Sequence, residues 1–446
     1  MWTEPRLSQW ASAANGRLLG NDQVVGQVST DSRELTPGDV YVALKGEQFD
    51  GHSYVEAALK QGAAAIVVEQ EMPVDAPQLI VPDTRLALGQ LAGLLRQAFP
   101  GQVIALTGSA GKTSTRAMLQ RIFEQDAGLL ATAGNFNNDI GVPKTWFRIN
   151  DEHRRVLLEL GANAQGEIAW TAGFSQPYIS LLLNASEAHS EGFGGLDGVR
   201  QAKGEIIDGT LADGHCVLNC DDPAFAQWRE RAGSRSVLRF GQSAEAEVRL
   251  DSYVATGFGS IFQVTLPEGE IEVRWPMLGR HMALNAAAAA ATAWVAGMSL
   301  KSIVLGLARM QPEPGRLQPL PSLHGGLLVD DSYNANPASV RAAIDVLSET
   351  SDDTVLVLGD MAELGTDANE LHADVGRYAK GRIRDVWTLG NLSQATSAAF
   401  GGEHFESLDR LVAALPSRLT EKTAVLVKGS RSAAMERVVE TLRRKA

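Results

Sequence analysis

Apolar positions along the chain fall into short continuous runs separated by stretches of helical period. Residues 39–44 (DVYVAL) predict a strand, residues 54–62 a helix closed by Gly62, and residues 64–68 the next strand. This first unit is expected to close near Asp83. A helix follows from Thr84, with apolar residues at Leu91, Leu94, Leu95 and Ala98. A second unit opens with a strand at 103–106, and further strands are expected at 156–160, 179–183 and 216–218. Residues 311–315 hold two prolines and a glycine, which interrupt any regular element, so the second boundary is placed there. Beyond it, strands at 326–329, 355–358, 386–389 and 424–427 with helices between them predict a Rossmann-like sheet. Short strands alternating with helices argue for parallel α/β sheets. The expected domains are residues 1–83, 84–313 and 314–446.

Composition narrows the class. A chain of 446 residues with 44% hydrophobic content can bury several cores, and 21% charged residues do not describe a disordered chain. The net charge of -13 lacks the basic footprint of a nucleic-acid binder, so no nucleic-acid partner is expected. A phosphorylated small molecule remains compatible, because it needs only local donors. The two cysteines, Cys216 and Cys220, are too few for a metal site or a disulfide scaffold and read as small core residues of a reducing compartment. Glu4 and Pro5 stand where a signal peptide would need an apolar stretch. The alanine-rich run 283–297 contains Asn285 and reads as a core helix, not a membrane span. A cytoplasmic location and a monomer are expected.

The strongest chemical signal is Thr107-Gly108-Ser109-Ala110-Gly111-Lys112-Thr113. It follows a predicted strand and precedes a helical pattern at 115–123, the context a phosphate loop needs. Gly108 and Gly111 let backbone N–H groups face phosphates, Lys112 can reach the β- and γ-phosphates, and the Thr113 hydroxyl can bind Mg²⁺. Leu106 stands where the strict Walker pattern has its first glycine, so the loop is a shorter variant. Glu159 ends an apolar strand, where a carboxylate is costly unless compensated. It reads either as a Mg²⁺ ligand in the same crevice or as a structural, salt-bridged glutamate. His189 in a loop and Lys203 on a helix would, each alone, read as solvated side chains.

Taken in this order, the loop, Glu159, His189 and Lys203 resemble the Mur ligase superfamily, which includes folylpolyglutamate synthetase. The resemblance continues through Gly279-Arg-His-Met-Ala-Leu-Asn285, Pro314-Gly-Arg316 and Asp330-Asp-Ser-Tyr-Asn-Ala-Asn-Pro337, and so spans essentially the whole chain. Thr30-Asp-Ser-Arg33, Pro37-Gly-Asp39 and Gly46-Glu-Gln-Phe-Asp-Gly-His52 resemble the UDP-binding domain of the members that add the third residue and the terminal dipeptide. Folylpolyglutamate synthetase lacks that domain. The Asp-Asn-Pro-Arg motif of the diaminopimelate-adding members is absent. Residues 134–141 (GNFNNDIG), 158–163 (LELGAN) and 359–365 (GDMAELG) are similar to the D-alanyl-D-alanine-adding members.

The resemblance implies a small α/β UDP-binding domain, a central phosphate-loop domain with a parallel sheet, and a C-terminal Rossmann-like domain. It implies an ATP-dependent ligase that adds D-alanyl-D-alanine to UDP-N-acetylmuramoyl-tripeptide through an acyl phosphate, the last cytoplasmic step of peptidoglycan precursor synthesis. Its site residues follow by the same resemblance. Lys112 and the loop amides from Thr107 to Thr113 hold ATP. Thr113 and Glu159 bind one Mg²⁺, and His189 binds a second together with Lys203 carrying a carbamate. Asn285 meets the adenine, Arg316 the γ-phosphate and Asp331 the ribose. Thr30, Ser32, Glu47, Gln48 and Phe49 lie near the uridine diphosphate, and Asn137 and Asn138 face the muramoyl-peptide. Two alternatives stay open: a third-residue-adding ligase, and a phosphate-binding regulatory or scaffolding module without catalysis.

Overall fold

The computed structural model describes residues 5–46, 49–186, 193–415 and 418–444. The chain begins with helix α1 (Leu7–Ala13), strands β1 (Arg17–Leu19), β2 (Val28–Ser29) and β3 (Val40–Val42), helix α2 (Val55–Lys60), and strands β4 (Ala65–Val68) and β5 (Gln78–Ile80). These strands form a sheet of order β1-β5-β4-β3-β2. Only β1 runs antiparallel to its neighbour. β3 and β4 are buried at every position, as continuous apolar runs require.

Helix α3 (Thr84–Ala98) follows. The Asp83 carboxylate accepts from the backbone N–H of Arg85 at 2.8 Å and of Leu86 at 2.9 Å, which starts the helix. Leu91 and Leu95 are buried, while Ala98 lies on the exposed face. The Trp10 indole of α1 donates to the Ala87 carbonyl of α3 at 2.8 Å. One apolar core therefore runs from α1 and the first sheet through α3 into the elements that follow.

Next come β6 (Gln102–Thr107), α4 (Lys112–Phe123), β7 (Leu129–Ala131), α5 (Gly141–Trp146), β8 (Arg155–Glu159), α6 (Glu167–Ser175), β9 (Ile179–Leu182), α7 (Leu196–Asp208), β10 (His215–Asn219), α8 (Phe225–Ala232) and β11 (Ser236–Gly241). The strands are ordered β11-β10-β9-β6-β8-β7 and all run parallel. β6 sits between β9 and β8, with Leu106 opposite Glu159 and Thr107 opposite Leu182. That register brings the ends of three strands to one edge of the sheet, where a parallel α/β fold presents its ligands.

β12 (Val248–Thr256) pairs at its start with β11. β13 (Gly259–Leu266) and β14 (Gly269–Trp275) then form an antiparallel hairpin. This hairpin departs from the purely parallel expectation. Its period was present in the sequence: Ile271, Val273 and Trp275 are buried, and Glu270, Glu272 and Arg274 alternate with them. Helix α9 (Arg280–Val295) follows, with Ala286 to Ala291 fully buried, as a core helix requires. Among the described residues, no helix is long and apolar enough to cross a membrane.

The remaining elements are α10 (Leu300–Ala308), β15 (Gln318–Pro321), β16 (Leu327–Asp331), α11 (Pro337–Ser348), β17 (Thr354–Gly359), α12 (Ala368–Ala379), β18 (Asp385–Leu389), α13 (Gln394–Phe400), β19 (Glu403–Phe405), α14 (Leu408–Ala414), β20 (Ala424–Lys428) and α15 (Glu436–Leu442). Their sheet has the order β15-β16-β20-β17-β18-β19. It is parallel from β16 to β19, with β15 antiparallel at its edge. Separate apolar clusters cover its two faces, as in a Rossmann-like layer structure. The whole chain divides into two compact units, residues 1–249 with 285–306, and residues 250–284 with 307–446.

Cys216 is buried and Cys220 only half-buried, and both are free thiols. The expectation of two core cysteines therefore holds for Cys216 alone. Cys220 sits past the end of β10, with its sulfur 3.3 Å from the Phe240 carbonyl.

Candidate active site

The phosphate loop leaves β6 at Thr107 and enters α4 at Lys112. The helix starts three residues earlier than its apolar period suggests, because Gly111 adopts φ +84° and turns the chain into it. A side chain at 111 would also collide with the Asn285 amide, 2.8 Å from where its Cβ would stand. At Gly108 a Cβ would lie 2.9 Å from that of Leu183. Both glycines are thus required by space, and Gly111 by conformation as well. Asn285, on α9, is buried against the loop itself.

The loop is clamped from β9. Asn184 accepts from the Ala110 N–H at 2.9 Å through its side chain and from the Ser109 N–H at 3.1 Å through its carbonyl. Its own amide donates to the Ala110 carbonyl at 3.1 Å. The Ser109 hydroxyl accepts from the Ser186 N–H at 3.0 Å. Two loop amides expected to face phosphate are therefore tied to the neighbouring strand end in this structure. The Thr107 hydroxyl donates to the Leu160 carbonyl at 2.7 Å, which joins the loop to the end of β8. Asn184 escaped the sequence reading because only the pairing of β6 with β9 brings it to the loop.

The Lys112 ammonium lies across the loop, 2.6 Å from the Gly108 carbonyl. Burial pushes its pKa down, and Glu159 pulls in the opposite sense. Thr113 donates to Glu159 Oε1 at 3.2 Å, and the Asn137 amide donates to the same oxygen at 3.0 Å. Glu159 Oε2 accepts from the Arg116 guanidinium at 2.9 Å. Glu159 is thus compensated by an ion pair, and it also stands beside Thr113 at the loop. A hydroxyl and a carboxylate side by side are hard oxygen donors, the type Mg²⁺ takes, so these residues fit that ion.

Lys203 projects from α7 and is 4% exposed. Its ammonium lies 5.3 Å from the centre of the Phe193 ring. Burial first, and the nearby Lys112 charge second, push its pKa down to about 8. This bias toward the neutral amine is imposed in the folded chain by desolvation and by a second lysine.

The other expected residues are placed as follows. Asn138 accepts from the Gly141 N–H at 2.8 Å, at the first residue of α5. Thr30 and Ser32 are half-buried beyond β2. Phe49 is 48% exposed and stacks on Tyr54 with ring centres 5.2 Å apart, an aromatic surface suited to a planar ligand. In the second unit, the Arg316 guanidinium lies 4.7 Å from the centre of the Tyr333 ring and pairs with Glu313 at 3.3 Å. Asp331 is buried at the end of β16, where it accepts from Lys428 at 2.5 Å and from the Leu317 N–H at 3.1 Å. Burial raises its pKa, against the pull of Lys428. Glu47, Gln48 and His189 lie outside the described residues. Among the described residues, no group of three His, Cys, Asp or Glu could hold a metal ion.

Comparisons with known proteins give the family of the chain. Residues 24–95 match the family model described as Mur ligase family, catalytic domain, residues 106–293 the Mur ligase middle domain, and residues 315–431 the Mur ligase glutamate ligase domain. The chain is 46% identical over 441 residues to the UDP-N-acetylmuramoyl-tripeptide--D-alanyl-D-alanine ligase of Escherichia coli K12, covering 98% of each chain. A crystal structure of MurF from Acinetobacter baumannii superposes with a TM-score of 0.84 at 36% identity, covering 97% of each chain. MurF ligase from Thermotoga maritima in complex with ADP superposes with a TM-score of 0.79 at 27% identity, over 94% of this chain and 97% of that one. With family matches running from residue 24 to residue 431, the chain belongs to the Mur ligase family.

Proposed function

We propose that this chain is an ATP-dependent, ADP-forming ligase that joins D-alanyl-D-alanine to UDP-N-acetylmuramoyl-tripeptide. The observation that carries the reading is the contact of Thr113 with Glu159 beside Lys112, on a chain similar over 98% of its length to ligases named for that reaction. In the reaction the tripeptide carboxylate attacks the γ-phosphorus of ATP, and ADP leaves. The dipeptide amine then attacks the carbonyl carbon of the acyl phosphate. Phosphate departs, and an amide bond remains.

The chain's own groups suit these steps. An anionic carboxylate must approach a polyanion, and the Lys112 ammonium stands where that repulsion has to be relieved. The N-terminus of α4 adds a field favourable to phosphate. Mg²⁺, when bound, would supply further neutralisation of the phosphates and the reacting carboxylate. Thr113 and Glu159 would hold one such ion. A second ion, held by His189 and by Lys203 as a carbamate, belongs to the same reading. Burial supports it, because a lysine held near pKa 8 offers the neutral amine that reacts with CO₂.

The remaining assignments are proposed with it: the loop residues Thr107 to Thr113 and Asn285 for ATP, and Arg316 and Asp331 for the nucleotide from the second unit. Thr30, Ser32, Glu47, Gln48 and Phe49 are assigned to the uridine diphosphate, and Asn137 and Asn138 to the muramoyl-peptide. The domain division at 83 and 313, action as a monomer and a cytoplasmic location complete the proposal.

An assay that identifies its product tests the function. With UDP-N-acetylmuramoyl-tripeptide and the dipeptide together, ADP release and a pentapeptide mass are expected. ADP release with UDP-N-acetylmuramoyl-dipeptide and free diaminopimelate would assign the chain to third-residue addition instead. ADP release with neither pair would leave a nucleotide-binding module.

A further inference from the structure

Arg116 was not singled out by any motif, yet it has one of the most buried charged side chains beside the phosphate loop. It lies three residues after Thr113 on α4, so the two share one face of the helix. A guanidinium taken from water is stable only where its donors are used. Here Nε donates to Glu159 Oε2 at 2.9 Å, Nη2 to the Gly134 carbonyl at 3.2 Å, and Nη1 to the Thr132 carbonyl and, at 3.3 Å, to Gln120.

These contacts close a ring around Glu159. The Glu159 N–H donates to the Thr132 hydroxyl at 3.0 Å. The turn then runs through Gly134, at φ +52°, to Asn137. The Asn137 amide returns to Glu159 Oε1, and its carbonyl accepts from the Gly161 N–H at 2.7 Å. One carboxylate oxygen is therefore committed to Arg116, and the other is left toward Thr113 and Asn137. Rotation of the carboxylate would break contacts on both sides.

We infer that Arg116 is a positioning residue that fixes the Glu159 carboxylate and the turn from Thr132 to Asn137 as one unit, so that a single oxygen is offered beside Thr113. The inference rests on the reading of Glu159 as a Mg²⁺ ligand. A planar fork is needed, since a lysine ammonium cannot hold the carboxylate and two carbonyls of the turn in fixed directions.

The test is the Mg²⁺ dependence of ADP binding to the full chain, measured by calorimetry for the wild type, Arg116→Met, Arg116→Gln and Glu159→Gln. Loss of a group that orients a metal ligand typically weakens metal affinity by about 10- to 100-fold. The Mg²⁺ concentration for half-maximal ADP binding should rise by at least about 10-fold in Arg116→Met. The KM for the UDP-linked substrate should rise with it, because the Asn137 turn is released. A residue that only supports the fold would lower the melting temperature and leave the Mg²⁺ requirement in place. Arg116→Gln keeps a donor for the turn and removes the charge from Glu159, so it reports the same shift if Arg116→Met does not fold. A folded variant of either kind with wild-type Mg²⁺ dependence, beside a Glu159→Gln variant whose dependence has moved, overturns the role of Arg116 alone. Unchanged dependence in Glu159→Gln overturns the metal reading of Glu159 and this inference with it.

Discussion

Lys203 illustrates how burial prepares chemistry at a single residue. On an exposed helix face its amine would stay protonated to about pH 10.4. At 4% exposure beside Lys112, its pKa falls to about 8. The neutral amine, which alone reacts with CO₂, therefore accumulates as pH rises through 8. Carbon-13 spectra of the chain in labelled bicarbonate should show a carbamate signal that grows from pH 7 to pH 9 and is absent in Lys203→Ala. Lys203→Ala should be nearly inactive, with part of its turnover restored by acetate; full activity without added carboxylate would remove the carbamate from the mechanism. Lys112 acts differently. In the proposed reaction its charge would meet the transferred phosphoryl group, so Lys112→Ala should keep the fold and lose turnover by at least about 100-fold. Near-normal turnover in a folded Lys112→Ala chain would show that this loop does not serve phosphoryl transfer.

At the scale of elements, β6 and α4 place the chemistry, and α3 holds their surroundings. α3 shares one core with α1 and α6, and its first turn depends on the Asp83 carboxylate. Asp83→Ala should lower stability by about 1 kcal/mol, read as a shift of the denaturant midpoint at constant slope. No shift would mean that α3 is started by packing alone. Strands such as β4, β8 and β17 were legible because each is mainly a run of buried apolar residues, whereas β5, β11 and β19 in the same sheets were not read. The hairpin β13–β14 was passed over, although its alternation is regular, because flanking α/β units set the expectation. β2 and β7 are only two and three residues long and carry too little pattern to be read.

For the molecule as a whole, the two compact units divide the assigned nucleotide ligands. Lys112, Thr113 and Asn285 belong to the first, and Arg316 and Asp331 to the second. If both sets meet one ATP, nucleotide and UDP-substrate together should draw the units closer. Small-angle scattering should then report a smaller radius of gyration with an ATP analogue and the UDP-substrate than without them. An unchanged radius would separate Arg316 and Asp331 from the nucleotide. Closure of this kind has a chemical reason, since an acyl phosphate must be kept from water until the amine arrives.

By itself the sequence determined the local features. The glycines of the loop, the strand before it and the helix after it are written in contiguous residues, and so is the acidic end of β8. A family resemblance carried by Glu159, His189 and Lys203 added roles that spacing alone could not supply. Tertiary structure decided what those residues touch. The pairing of β6 with β8 sets Thr113 against Glu159, the pairing with β9 brings Asn184 onto the loop, and the packing of α7 buries Lys203 near Lys112. Arg116 became visible only there, because an arginine four residues past a phosphate-loop lysine looks like any helical surface charge. Its meaning comes from partners 16, 18 and 43 residues away in the chain, which local pattern cannot reach.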